Sequence, residues 1–149
     1  MNMWINGFGC ALGSLGFGYM FNIKGNKVFI SAFIGGVGGF VYTYALNAGH
    51  SNAVSLFFGS IAISLLSEIF ARYLKCPVTS FLICALIPLV PGGHMYYTML
   101  EVVQGNNDLA IMRAIDTCVQ ACSIAFGFIL VSSVVRTYTH IKQRIGKHV

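Results

Sequence analysis

Five stretches of the chain run almost without charge, at positions 3–21, 28–46, 53–73, 78–100 and 109–135. Each approaches the roughly 20 apolar residues that a helix needs to cross a hydrocarbon core about 30 Å thick. The segments between them read NIKGNK, NAGHSN, LKCP and EVVQGNND, and every one carries the glycine, asparagine or proline that closes a helical turn. The pattern predicts an all-α protein: a polytopic membrane helix bundle of about five transmembrane helices, a single transmembrane domain over 1–149 with a cytoplasmic tail at 136–149. The first stretch, MNMWINGFGCALGSLGFGYMF, has no basic residue ahead of its apolar run and no small-residue cleavage site. It reads as a retained span instead of a removed signal peptide.

Three of these stretches hold residues that disturb a plain helix. Glycines crowd the first two, with Gly9/Gly13 and Gly35/Gly39 at the GxxxG spacing that lets helix backbones approach closely in lipid. Generic helix packing accounts for them, and they do not form the GxGxxG nucleotide fingerprint. The fourth stretch holds Pro88, Pro91, Gly92 and Gly93 near its centre. Each proline removes a backbone donor and clashes with the preceding turn, while the glycines permit backbone angles that other residues avoid. The fourth span is therefore expected to be broken over 88–93. Broken backbone at membrane depth is tolerated where protein or a water-filled cavity satisfies the freed groups. A half-helix starting after the break would aim unpaired N–H groups at the midplane, a ready site for a carboxylate; a kink without a ligand is the other reading.

Composition removes most alternatives to a membrane protein. Of 149 residues, 56% are hydrophobic and 9% charged, with a mean hydropathy of +0.76, whereas an ordinary soluble domain is about a quarter charged. The net charge of +5 comes from small separated groups rather than a basic face, which argues against nucleic acid. If all five stretches span, Lys24, Lys27, Arg72, Lys75, Arg136, Lys142, Arg144 and Lys147 share one side and Arg113 alone marks the other. Positive charge favours the cytoplasm, so the expected topology in the cell (inner or plasma) membrane is N-terminus outside and C-terminus inside. A re-entrant fourth stretch would nearly abolish that bias. The five cysteines include no CxxC pair and four lie in apolar stretches, so neither disulfide, metal nor cofactor is expected.

The candidate chemistry clusters around the break. Thr79, His94 and Tyr97, with Pro88, Pro91, Gly92 and Gly93, are the expected substrate-binding set, and His94 could exchange a coupling proton or simply serve packing. Glu68 and Arg72 are spaced i,i+4 and can pair on one helix face, while Arg113, Asp116 and Gln120 line one face of the fifth span. For Asp116, with Arg113 as its expected local partner, and for Glu68, with Arg72, an ion-pair anchor stands against a substrate or proton role, because a charge within the bilayer needs a partner. No nucleophile–base set, HExxH, P-loop or acidic metal cluster is present, so no enzyme is expected.

The run from Cys76-Pro77-Val78 to Ile87-Pro88-Leu89-Val90-Pro91-Gly92-Gly93, followed by a tyrosine-rich half-span, resembles the threonine/serine exporter family and, within it, the small subunit of its split, two-component form. The resemblance covers essentially the whole chain. It implies secondary export of threonine and serine, or of a related small carboxylate such as succinate, and a larger membrane subunit as partner in the lipid bilayer. A structural or channel-like subunit without carrier activity of its own is the alternative class.

Overall fold

The computed structural model describes residues 2–23 and 25–145, the side chains of 140 and 142–145 excepted. Among these residues the chain forms α1 (Met3–Met20), α2 (Lys27–Asn47), α3 (Asn52–Tyr73), α4 (Val78–Leu86), a 3-10 turn (Ile87–Leu89), α5 (Gly92–Val103) and α6 (Asn107–Ile145), with no strand. The turns are closed as their composition requires. Gly49 and Gly105 adopt left-handed φ values of 89° and 80°, which lets the residue after each bond back to Ala45 and Glu101 O at 3.3 and 3.0 Å. Ser51 caps α3 by accepting from Val54 N at 3.4 Å. The last helix continues ten residues beyond the expected span end at Val135, so the segment expected as a tail begins as helix.

Helix direction can be read from which residues meet. Along α1 and α2 the facing pairs are Gly18 with Val28, Ser14 with Gly35, Cys10 with Gly39 and Asn6 with Thr43. One number falls as the other rises, so the two helices run antiparallel. The same holds for α2 and α3, where Gly38 meets Ile63 and Tyr42 meets Gly59. Between α3 and α6 the numbers rise together: Ser60 faces Gly127 and Arg72 reaches Thr139. These helices are parallel. The chain between them, α4 through α5, must therefore return from the Lys75 end of the bundle to the Asn107 end.

Small residues set the spacing of these helices. A Cβ at Gly35 would collide with Ser14 Oγ, and one at Gly39 would lie 2.6 Å from Cys10 Sγ. The GxxxG pair of α2 thus receives α1 at close range. The pair expected in α1 does not act as a unit, because Gly9 faces open space and Gly13 meets Pro88 instead. On α3, Ser55, Gly59, Ser60, Ser64, Ser67 and Ala71 are all buried, a stripe of small side chains that lets α2, α4 and α6 close in.

The two halves of the broken span have different surroundings. In α4, Phe81, Leu82, Cys84 and Ala85 are buried in the core with Ile34, Ile63 and Leu56. In α5 no residue is buried, and the helix lies against α6. By length and composition α2, α3 and Asn107–Thr139 of α6 can each cross a membrane, and α4 with α5, bent by 51°, adds a fourth crossing when taken as one span. Glycine fills five of the 18 positions of α1, and α1 is not among these three or four candidate crossings, fewer than the five expected. Lys27, Arg72 and Lys75 share one end of the bundle, as the helix directions require. Lys24 and Lys147 lie outside the described residues, as do the side chains of Lys142 and Arg144.

Candidate functional site at the broken span

The break follows from two missing amide protons. Pro88 cannot donate to Cys84 O, and Pro91 cannot donate to Ile87 O. Val90 N takes that second acceptor instead at 3.1 Å, tightening the backbone into the 3-10 turn. Val90 is then extended, with φ −60° and ψ 134°, as steric clash with the following proline ring favours. Gly92 N bonds Val90 O at 2.7 Å, and Met95 N, bonded to Pro91 O at 3.1 Å, closes the first turn of α5. No side chain caps this helix. Its early N–H groups, those of Gly93 and His94, precede any intrahelical acceptor. The break therefore comes from the prolines; neither Gly92 nor Gly93 uses a positive φ.

Beneath the break lies a cavity of about 150 Å³ lined by Asn6 and Cys10 of α1, Tyr42 of α2, Asn52 and Leu56 of α3, Pro88 to Pro91, His94, and Gln120 of α6. No aspartate, glutamate, lysine or arginine is among these lining residues. Tyr42 donates to Asn52 Oδ1 at 2.8 Å, and Asn6 donates to Thr43 Oγ1 at 2.7 Å, so part of the polar wall is held in place. Gln120 is different. It is 6% exposed, and its Oε1 has no hydrogen-bond partner among the described residues. An unpaired buried acceptor costs about 1–3 kcal/mol, and this one belongs to a residue that lines the cavity. The cavity has room for a solute of a few heavy atoms and is well below the range of drug-sized sites.

Of the residues marked by the sequence, Pro88, Pro91 and His94 meet at this cavity. Gly92 and Gly93 open α5 and face outward, where an added Cβ would meet nothing within 4 Å. Thr79 is at the far end of the bundle, beside a second hollow lined with Phe21, Ile23 and Ser80. Tyr97 is exposed, and the Arg113 guanidinium stands 5.5 Å from its ring centre. Arg113 does not pair with Asp116. Its ion pair, at 3.3 Å, is with Glu101 across the α5–α6 turn, and Asp116 is exposed with no partner among the described residues. Glu68 and Arg72 do pair, at 3.6 Å, and Arg72 also donates to Thr139 Oγ1 at 2.7 Å. That cluster joins α3 to α6 and lies away from the cavity. Asn6, Tyr42 and Asn52 were not marked by the sequence; an asparagine within an apolar run, as Asn6 is, was the one available signal.

The family model described as Threonine/Serine exporter, ThrE, matches residues 6–134, which include every wall of the cavity. An uncharacterised protein of Haemophilus influenzae is 27% identical over 129 residues, a match that takes in 80% of this chain and 43% of that protein. The chain thus spans less than half the length of this curated relative. No solved structure matches.

Proposed function

We propose that this chain, which belongs to the threonine/serine exporter family, is one half of a secondary transporter that exports threonine, serine or a related small carboxylate such as succinate. The observation that carries the reading is the cavity under the uncapped start of α5, into whose wall Gln120 brings an unpartnered amide. In this reading the carboxylate docks against the first N–H groups of α5, where the helix dipole favours negative charge. The amide of Gln120, with Asn52 and Tyr42, meets the remaining polar groups of the solute, and in the same reading His94, which lines the cavity, takes or releases a proton as the site empties. Pro88 and Pro91 hold the break open. Arg113 with Glu101 acts as an ion-pair anchor between α6 and α5, and Arg72, paired with Glu68 on α3, ties that helix to Thr139 of α6.

The other half is assigned to a larger membrane subunit, supported by the length of the relative that lies outside the match. Counterflow tests the reading. Proteoliposomes with both halves are expected to exchange external labelled threonine or serine for an internal unlabelled pool, and those with either half alone are not. A substrate-independent leak would instead mark a channel-like subunit. Saturable counterflow by this chain alone would end the half-transporter reading.

The orientation proposed is N-terminus outside, C-terminus cytoplasmic, with five crossings. It rests on the parallel course of α3 and α6 and on the basic residues at one end of the bundle. In intact cells, single cysteines at Asn52 or Asn106 are expected to react with an impermeant thiol reagent, and one at Asn26 is not. Equal labelling at Asn26 and Asn106 would overturn this topology.

A further inference from the structure

Only 17% of the most apolar stretch of α6 is buried, against 50% in α2 and 39% in α3. One face of the helix receives α3 at Ile124, Gly127 and Val131, and its first turns receive α5 through Arg113 and Thr117. Beside that covered face runs an open seam: Met112, Asp116, Val119, Ser123, Phe126 and Leu130, at alternating steps of four and three. This is the spacing at which one helix meets another along its length. Its large apolar members are half or more exposed. Apolar side chains alone would suit lipid, but Asp116 would not. It lies about 10 Å along the helix from Leu109, and a side chain that short cannot carry its charge out of the hydrocarbon. Acidic groups at such depth face protein or water and pair with a basic group or a hydrogen-bond donor. Arg113, the nearest cation along α6, is already engaged by Glu101.

We infer that this seam is the docking face for a transmembrane helix of the exporter's other half, and that this helix presents a lysine or arginine to Asp116. The inference rests on the half-transporter reading above and adds the place of contact. Asp116 and Ser123 flank Gln120 by about one turn on each side, so the docked helix borders the wall of the cavity. Assembly and substrate site are then neighbours on α6.

A photo-reactive benzoylphenylalanine at Val119, irradiated in native membranes, tests this. It is expected to capture a peptide from an apolar span of a second protein, with a lysine or arginine within about one turn of the attachment point. The same group at Ala121, exposed on the opposite side of α6, is expected to capture lipid. Asp116→Lys should lower the Val119 adduct at least tenfold without changing the amount of chain in the membrane, and an aspartate at the captured basic position should restore it. An adduct with a second copy of this chain, with lipid alone, or with a peptide lacking a basic residue would overturn the inference, as would an adduct indifferent to Asp116→Lys. Counterflow that needs both halves, combined with a lipid adduct at Val119, would keep the half-transporter reading and remove only the seam.

Discussion

Replacing Gln120 with leucine is expected to abolish counterflow and at the same time raise the thermal midpoint of the protein. The two changes share one cause. In the unliganded protein the Gln120 amide is buried and its Oε1 is unpaired, a destabilising arrangement of about 1–3 kcal/mol. Leucine occupies a similar volume with no polar group to satisfy, so the midpoint should climb by a few degrees. Substrate binding would lose its buried hydrogen-bonding partner, and exchange in proteoliposomes should fall at least tenfold. A variant that loses counterflow while its midpoint drops would mean that Gln120 holds the bundle together and does not serve the solute.

The second large effect concerns packing. Gly127→Leu is expected to destabilise the protein by about 1–3 kcal/mol or more, as overpacking of a close helix contact does. A Cβ there would collide with Ser60 Oγ and fall 2.9 Å from Phe57 O, a backbone atom that cannot swing away. The contact it would force open is the one that lays α6 parallel to α3 and so brings Gln120 to the cavity. The milder Gly127→Ala should lower the thermal midpoint less, and Ser60→Ala in the same chain should recover part of the loss. Gly92→Ala supplies the contrast: with open space around it, its midpoint should stay level or rise slightly through reduced freedom of the unfolded chain. Equal losses at Gly92 and Gly127 would contradict this picture of the interface.

Those two glycines also show what was legible in the sequence. The helix ends were, because glycine, asparagine and proline mark turns locally, and so was the break, because Pro88 and Pro91 remove donors wherever they sit. Glu68 and Arg72 could be paired from spacing since both lie on α3. Spacing along one helix misled at Arg113, whose partner Glu101 reaches it across the turn and not from the next turn of α6. Burial was hidden for a further reason. Lipid is as apolar as a protein core, so hydropathy does not separate the core face of α6 from its open seam. The cavity draws its walls from α1, α2, α3, α6 and the break. Only the break announced itself, through its prolines; the other walls meet through tertiary packing.

The claim at the centre of this account is that a solute carboxylate sits beneath the start of α5. It is tested most directly by substrate protection of a cysteine at Val90, an exposed position in the cavity wall, with Cys76, Cys118 and Cys122 replaced and both halves of the exporter present. Threonine is expected to slow alkylation of this cysteine saturably, while threonine amide, which lacks the negative charge, leaves the rate unchanged. Alkylation that threonine does not slow, in vesicles that still carry out threonine counterflow, would place the substrate elsewhere and contradict the account.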